Sequence, residues 1–522
     1  MEFFRHTFAF DSHSPLLFTQ LYFWVFFLII YLGYALIIGR NDKRRLHLRN
    51  IYLMLVSWFF YYKTSGLFLG ILACVTFTSF LTAFPIRYAQ QKQKKPESIF
   101  WLVVSILIDL GFLFYYKYAY FGVDVCNSLF GTHFSIVDTI LLPVGISFYT
   151  FQVISYTVDV YRRQIQPVDN FFDFGMYVSF FPQLVAGPIV RASEFIHQLY
   201  KPFHLTHRLM GMGVFWILNG LIKKIILSDY IAVHFVDRVF DNPLLFSGFE
   251  NLFALFAYSL QVYADFSGYT DIAIGVALLM GFYLPKNFDS PYKSRNPQEF
   301  WRRWHQSLSR WLKSYVYIPL GGNRTIFGCK TNKLLAGNVN SFATMLIGGL
   351  WHGASWNFVI WGGLNGIGMI IAKCWHSLME SIGFTKFIQR KKIIQAIDNV
   401  LCIALTFTFI TFTRLFFRAS SNLDPATANE TAWRTAKQMM GQIIGAWDSS
   451  IIPMFLWEYR NIVVLFVAGM IIHWLPSKVK QWYRIRFALL PWWGMMLCVT
   501  VAIIFVYQFI TADLQPFIYF QF

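Results

Sequence analysis

The chain has 522 residues, of which 56% are hydrophobic and only 13% are charged, with 58 Phe, 28 Tyr and 18 Trp. A soluble fold of this length carries far more charge, so the composition excludes a soluble globular protein and predicts a polytopic membrane protein. The formal net charge is +18, and the basic residues form short clusters between apolar runs. This pattern indicates cytoplasmic loops rather than nucleic-acid binding. The six cysteines are scattered, so we expect neither a disulfide framework nor a metal site.

The first apolar run, residues 17–38, is long enough to cross a bilayer. No positive segment with a cleavage site precedes it, which argues against a cleaved signal peptide. The next stretch, 40–50, carries five Lys or Arg against one Asp. By the positive-inside rule we place this loop in the cytoplasm and the N-terminus outside.

Apolar residues resume at 51 and continue to 86 with a break at 63–66, which predicts two helices, the first unusually short. Residues 99–116 lead outward and 141–160 return, with an amphipathic stretch, 118–137, at the outer surface between them. Residues 180–191, FFPQLVAGPIVR, hold Pro182, Gly187 and Pro188 in an apolar context. We therefore predict a re-entrant or kinked segment beside a wet cavity.

Further spans are predicted at 210–227, at 253–283 as one long helix or two shorter ones, and at 399–417, 463–474 and 489–510. The basic segments 384–392 and 477–486 are assigned to the cytoplasm, and 418–450 to an outer loop. The sequence thus predicts an all-α polytopic membrane protein with about eleven to thirteen membrane segments, including re-entrant or interfacial helices, in a single domain, 1–522.

Within that domain the core segment is 296–366, which contains two histidines in different surroundings. In 298–316 apolar residues recur every three and four positions among Arg and Trp, which predicts an interfacial helix. His305 and Ser309 would share one side of this helix. A turn at 319–323 would end it.

The second half, 342–372, is apolar except for His352, Asn357, Asn365 and some hydroxyls. A titratable group in such a segment is costly unless it faces the protein interior or a cavity, so His352 is a functional candidate. Gly348, Gly349 and other glycines nearby allow close helix packing or non-helical backbone. A neutral imidazole there could take a proton from an attacking hydroxyl.

Asp265 and Asp271 are six positions apart and so do not share a helix face. A metal or an acid pair is therefore a weak interpretation, and we favour a structural role in which these carboxylates pair with arginines or cap broken helices. Orientation of a histidine by Asp265 stays open.

The core motifs WRRWHQSLSRWLKSYVYIPLGGNR and GGLWHGASWNFVIWG, with LLPVGISFYTFQVISYTVDVYRR, FFPQLVAGPIVR and the C-terminal FIYFQF, make the chain resemble the membrane-bound O-acyltransferase family. The resemblance is to the bacterial branch typified by the membrane subunit of alginate O-acetylation. It implies helices around a central tunnel, with His352 as the active-site histidine and His305 as the second motif histidine.

The resemblance also implies acyl transfer, with acetyl-CoA or another acyl thioester as a cytosolic donor substrate rather than a permanently bound cofactor. The acceptor would be an extracellular or periplasmic polysaccharide such as alginate, reached through a separate periplasmic SGNH-type transferase with a serine nucleophile. The chain would lie in the lipid bilayer of the inner membrane. Basic residues of the core could attract the donor's phosphates, and the candidates are Arg302, Arg303 and Arg310.

Several alternatives stay open. The arginines could be ordinary positive-inside residues, His352 a packed interhelical residue, and His305 a helix residue that bonds locally or supports catalysis without taking part in it. The transferred group could instead be D-alanine destined for teichoic acid. A non-enzymatic transporter or flippase would also suit an aromatic-rich membrane bundle.

Overall fold

The computed structural model describes residues 16–38, 43–136, 140–185, 187–326, 328–421, 427–510 and 517. Across these residues the chain is helical, and the strands found there are a two-residue antiparallel pair, Thr325–Ile326 with Cys329–Lys330. In the described part of the chain, six helical stretches are long and apolar enough to cross a membrane, or up to eight if each of two bent pairs forms one span. The predicted all-α polytopic class is confirmed.

The predicted count of eleven to thirteen membrane segments is not confirmed. Several apolar helices are shorter than a bilayer crossing requires, such as Ile146–Tyr161 with 16 residues. That helix is apolar because nearly all of its side chains are buried inside the protein. Apolar runs in this chain therefore mark the protein interior as well as the membrane.

The described residues form two compact units. The first comprises the chain up to Leu221 together with Tyr269–Pro285 and Arg484–Val501. It contains the α-helices Leu21–Ile38, Lys43–Ser65, Leu69–Gln91, Lys95–Leu113, Ala119–Phe130, Ile146–Tyr161, Phe171–Ser179, Phe181–Leu184, Ala192–Leu199 and His207–Leu221, with a 3₁₀ turn at Gly66–Phe68 and a π turn at Phe114–Tyr118.

In this unit the first helix of the 51–86 region begins at Lys43 and has 23 residues, so the prediction of an unusually short helix was wrong. Its basic start suggested a loop, but Arg49 is buried. The Arg49 guanidinium donates to the carbonyls of Leu199 at 2.6 Å and Lys201 at 3.2 Å. These acceptors allow a charged side chain to lie inside the fold.

The helix bounds in this unit also test the predictions for 118–137 and 180–191. The stretch 118–137 is not a separate amphipathic segment, since Lys95–Leu113 continues through the π turn into Ala119–Phe130. The segment 180–191 does break regular helix: a four-residue helix, Phe181–Leu184, is followed by non-helical backbone at its described positions, which leave out residue 186. Pro182 lies in the first turn of this short helix and prevents the preceding helix, Phe171–Ser179, from continuing into it, while Pro188 disfavours regular helix after it.

The second unit comprises Ile222–Gly268, Lys286–Tyr483 and the chain from Ala502. Its α-helices are Asp237–Asp241, the first part of Gly248–Leu279, Pro297–Arg303, Gln306–Leu312, Lys333–His352, Trp356–Ser381, Phe384–Arg390, Lys392–Ala419, Ala428–Gly445, Ile452–Glu458, Arg460–Trp474 and parts of Ser477–Ala488 and Trp492–Tyr507. Tighter or wider turns lie at Ile222–Asp229, Ala232–Val236, Pro243–Leu245, Pro291–Lys293 and Lys313–Tyr317.

For 253–283 the alternative of one long helix is confirmed, since Gly248–Leu279 is a single helix. Other boundaries differ from prediction, and the assigned outer loop 418–450 contains the helix Ala428–Gly445. The apolar stretch 342–372 is two helices, Lys333–His352 and Trp356–Ser381. The chain becomes extended between them, and a Cβ at Gly353 would lie 2.1 Å from the Phe358 ring, so any larger residue there requires that ring to move.

These two helices pack closely because glycines face each other where they meet. A Cβ at Gly349 would lie 2.3 Å from the carbonyl oxygen of Phe358, and a Cβ at Gly362 would lie 2.5 Å from that of Met345. Small residues let helix backbones approach in this way inside membranes. The contact fixes the helix end that carries His352.

Substitution at this helix contact is expected to lower stability. Gly349→Ala or Gly362→Ala places a methyl group against backbone that cannot rotate away, so the helices must separate. We expect a loss of about 1–3 kcal/mol, measured as a lower thermal unfolding midpoint of the purified protein in detergent. Gly363→Ala is the matched control, because its Cβ would meet only an ordinary contact at 3.5 Å. Equal midpoints for all three variants would contradict the close packing.

Candidate functional site

The backbone around His305 differs from the continuous interfacial helix predicted for 298–316. Two short helices, Pro297–Arg303 and Gln306–Leu312, meet at His305, whose φ of 43° is left-handed. Such a conformation costs a non-glycine residue about 1–3 kcal/mol and is often found at functional sites. The predicted pairing of His305 and Ser309 along one helix side was therefore wrong, because His305 precedes the second helix.

Neighbouring groups hold this turn in place. The backbone N–H of Gln306 donates to the carbonyl of Asn287 at 3.0 Å, and the N–H of Ser307 donates to the Asn287 side-chain oxygen at 3.2 Å. At the start of the preceding helix, the Asn296 side chain accepts from the N–H of Glu299 at 2.8 Å. These bonds lie at the N-terminal ends of the two helices, so they fix the residue at which each helix begins and hold the turn that carries His305.

His305 is fully buried at 0% exposure, and its ring lies 4.6 Å from that of Phe266 and 5.8 Å from that of Trp351. Burial disfavours the imidazolium and lowers the pKa of His305 far below its usual range. At neutral pH this ring is therefore uncharged. A neutral imidazole can accept or donate a hydrogen bond, but it brings no positive charge to the site.

His352 is the last residue of Lys333–His352 and is 2% exposed. Its ring contacts the edges or faces of Trp351, Trp361 and Phe417 at centroid distances of 4.9, 4.9 and 5.3 Å. The centroids of the His352 and His305 rings are 6.4 Å apart. The two histidines that are 47 positions apart in the chain are thus near neighbours in the fold.

A small cavity borders His352. Its volume is about 10 Å³, which is close to the space that one water needs. Its lining is mainly aromatic and apolar, with four polar side chains: His352, Asn365, Thr413 and Arg414.

Arg414 brings a positive charge to this cavity although it is only 4% exposed. Its guanidinium lies over the Trp304 ring at 4.4 Å from the centroid. Its Nη1 donates to the Ser259 carbonyl at 3.0 Å and to the Tyr292 hydroxyl. One turn along the same helix, Arg418 instead forms an ion pair with Asp237 at 2.8 Å. Among the described residues Arg414 forms no ion pair of this kind.

The arginines predicted to attract a donor do not line the cavity. Arg302 and Arg310 are exposed, and Arg303 is half-buried. The Arg303 guanidinium pairs with Glu299 at 2.8 Å and with Asp289 at 3.6 Å. The structure therefore brings His305 and His352 together but leaves these three arginines apart from them, and their role in donor binding stays a prediction.

The structural role favoured for Asp265 agrees with its contacts, although the partner is a lysine rather than an arginine. Lys224 Nζ lies 2.7 Å from Asp265 Oδ1 and 2.7 Å from Asp229 Oδ1, and all three side chains are buried. Asp271, in the first unit, accepts a hydrogen bond from the Asn219 amide at 2.6 Å. These partners satisfy carboxylates that would otherwise be costly to bury.

Sequence reasoning missed Arg414, because it was included in a span, 399–417, that was treated only as a crossing. The rule that singled out His352 would have found it: a charged residue inside an apolar segment faces the interior and is a functional candidate. Trp361 and Thr413 gave no such signal, since aromatic and hydroxyl residues are common in apolar helices.

The sequence of the chain is similar to those of known membrane acyltransferases. The sequence model of MBOAT, the membrane-bound O-acyltransferase family, matches residues 54–415, which include both histidines and Arg414. A probable alginate O-acetylase of Azotobacter vinelandii is 42% identical over 331 residues, 62% of this chain and 63% of that protein, so the match spans less than two thirds of that relative.

Two other relatives carry different names. A peptidoglycan O-acetyltransferase of Helicobacter pylori is 35% identical over 449 residues, 81% of this chain and 79% of that protein. A teichoic acid D-alanyltransferase of Streptococcus thermophilus is 28% identical over 364 residues, 67% of this chain and 82% of that protein. The relatives thus share acyl transfer and differ in acyl group and acceptor.

Proposed function

The chain belongs to the membrane-bound O-acyltransferase family, and on that basis we propose that it moves an acetyl group from cytosolic acetyl-CoA across the inner membrane to O-acetylate a polysaccharide outside. It is a multi-pass membrane acyltransferase, so the transporter or flippase alternative falls away. The main support is that His352 and Arg414 line the same buried cavity.

In the proposed reaction the His352 imidazole takes the proton of an attacking hydroxyl. The hydroxyl oxygen at the same time bonds to the carbonyl carbon of the thioester. The carbonyl oxygen gains a negative charge, which the Arg414 guanidinium stabilises. The carbon–sulfur bond then breaks, and the imidazolium returns its proton to the thiolate. The products are an ester and free coenzyme A. His352 could instead carry the acyl group briefly on a ring nitrogen.

The position of His352 favours this proton transfer. As the last residue of its helix, it lies where the negative end of the helix dipole stabilises an imidazolium. His305, neutral and 6.4 Å away between ring centroids, would position the thioester or relay a proton. Because the cavity has room for about one water, aromatic side chains such as Phe417 must move before a thioester can enter.

The acceptor that meets the donor inside the membrane is proposed to be a serine hydroxyl of a separate periplasmic SGNH-type transferase, which then acetylates the polymer. The relatives named alginate O-acetylase and peptidoglycan O-acetyltransferase support a cell-surface polymer as the final acceptor. The basic residues of 40–50, most of which lie in the first turns of the helix Lys43–Ser65, support a cytoplasmic donor side and a periplasmic N-terminus.

Inverted membrane vesicles that contain the chain test this proposal. Labelled acetyl-CoA is added outside, at the cytoplasmic face, and the lumen contains the periplasmic transferase with an oligosaccharide acceptor. We expect acetyl label on the acceptor only in vesicles that contain the chain. A parallel arm supplies labelled D-alanine on its carrier, and label from that arm alone would favour the D-alanyl alternative. No transfer above empty vesicles in either arm would refute both.

A further inference from the structure

Three half-buried lysines from separate parts of the second unit surround His473. Lys223 lies in the π turn Ile222–Asp229, Lys293 in the turn Pro291–Lys293, and Lys480 in the helix Ser477–Ala488. All three act electrostatically on the His473 ring, and Lys223 and Lys293 both act on Lys480. We call these three residues the lysine cluster.

Hydrogen bonds of two of the lysines hold the cluster around the turn Pro291–Lys293 and the residue before it, Ser290. Lys480 Nζ donates to the Ser290 hydroxyl and to the His473 carbonyl, both at 2.8 Å. Lys293 Nζ donates to the Leu475 carbonyl at 2.8 Å. Lys223 Nζ lies 5.7 Å from the centroid of the Tyr263 ring, which itself packs edge-on against His473. An ammonium group has three donors, so the contacts of Lys293 and Lys480 leave each of these two side chains at least one donor for a ligand.

Within the described part of the chain, one carboxylate acts on Lys293 and Lys480, whereas the neighbouring Lys224 has two. The adjacent Lys224 pairs with two carboxylates at 2.7 Å each. The carboxylate that acts on Lys293 and Lys480 is Asp289, which also pairs with Arg303 at 3.6 Å. Burial, and then the nearby Arg303, lower the pKa of Lys293, although Asp289 opposes them. An anion bound here would relieve this crowding of positive charge.

The residue before this turn has a backbone conformation that non-glycine residues rarely adopt. Ser290 has a φ of 46° and a ψ of 62°, in the left-handed region. This costs a non-glycine residue about 1–3 kcal/mol. Lys480 donates to the Ser290 hydroxyl in this conformation. The left-handed backbone of Ser290 therefore places a hydroxyl group beside the ammonium group of Lys480.

One aromatic residue links the lysine cluster to the cavity. The backbone N–H of Tyr292 donates to His473 Nε2 at 3.1 Å, and the two rings are 5.0 Å apart between centroids. On its other side, the Tyr292 hydroxyl accepts from Arg414, which lines the cavity with His352. A ligand bound at the lysines therefore lies one aromatic ring away from the groups that border the cavity.

We propose that Lys223, Lys293 and Lys480, with the Ser290 hydroxyl, form a phosphate-binding site. Compact ammonium charges and a hydroxyl suit phosphate oxygens. The phosphate comes either from the soluble acyl donor, in which case the site anchors the donor beside the cavity, or from an anionic lipid headgroup. Only the first source rests on the proposed function.

Equilibrium binding to the purified full-length protein in detergent tests the site without any turnover. For coenzyme A as the probe, we expect Lys480→Gln and Lys293→Gln each to raise the dissociation constant by about tenfold. Lys480→Arg keeps the charge and is expected to restore most of the affinity. Lys478→Gln is the matched control, because Lys478 lies on the same helix and is exposed, and it is expected to leave binding unchanged.

A second arm measures thermal stabilisation in phosphatidylglycerol nanodiscs relative to phosphatidylcholine nanodiscs. A loss of that stabilisation in Lys480→Gln, with coenzyme A binding unchanged, supports the site and assigns its phosphate to lipid. If Lys480→Gln and Lys293→Gln match Lys478→Gln in both arms, the proposal is overturned. Because neither arm requires transfer, loss of binding in an enzymatically inactive preparation would support the site while the proposed function failed.

Discussion

His352→Ala is expected to lower acetyl transfer in the vesicle assay by about 10²–10⁴-fold, the usual contribution of a general base. The substitution removes the group that accepts the hydroxyl proton and leaves a space among Trp351, Trp361 and Phe417. His352→Gln fills more of that space and still cannot act as a base, so it is expected to be equally inactive. Initial rates at saturating donor are the measurement.

The control for this prediction is a histidine on the following helix. His376 is exposed and lies 3.9 Å from Glu380, so His376→Ala is expected to keep the wild-type rate. Thermal unfolding midpoints of the purified variants separate loss of chemistry from loss of fold. A His352→Gln protein that folds normally and transfers acetyl at more than a tenth of the wild-type rate would rule out His352 as the base.

Arg414→Gln is expected to lower kcat by about 10²–10³-fold, the effect of removing one donor to a developing oxyanion. Because the guanidinium is proposed to interact most strongly with the charged intermediate, KM for the donor is expected to change little. Arg414→Lys keeps the charge near the cavity but loses the planar donor geometry, so it is expected to recover part of kcat. Steady-state kinetics over a range of acetyl-CoA concentrations separate the two constants.

A merely structural role for Arg414 predicts a different pattern. Tyr292→Phe removes the hydroxyl that Arg414 Nη1 contacts but keeps the guanidinium and its stacking on Trp304. We expect this variant to lose less than about tenfold in kcat. If Tyr292→Phe and Arg414→Gln lose the same activity, and both unfold at lower temperature, Arg414 acts by holding the helices together rather than on the oxyanion.

The sequence predicted the fold class because composition and apolar periodicity report burial directly. It failed where burial and membrane crossing have the same signature. Ile146–Tyr161 is apolar because it is buried in protein, and Lys43–Ser65 begins with basic residues although it is helical. Neither difference can be found from hydropathy, because it depends on which other helices cover the segment.

The residues of the candidate site could be predicted in part. His305 and His352 were identified by their motifs and surroundings, and the structure places their rings 6.4 Å apart between centroids. The left-handed turn at His305 could not be predicted, because alternating Arg and Trp fit a continuous helix equally well. The burial of Arg414 at 4% depends on long-range contacts with Ser259 and Tyr292, which no local pattern encodes.

The cavity at His352 is small, about 10 Å³, and its size limits how much activated substrate such an enzyme would lose to side reactions. A basic imidazole beside bulk solvent would also activate water, and the cell would lose thioesters to hydrolysis. Enclosure by indole and phenyl rings keeps competing nucleophiles scarce until the proper alcohol arrives. The same rings that slow entry would therefore protect the proposed acyl donor from hydrolysis when no acceptor is present.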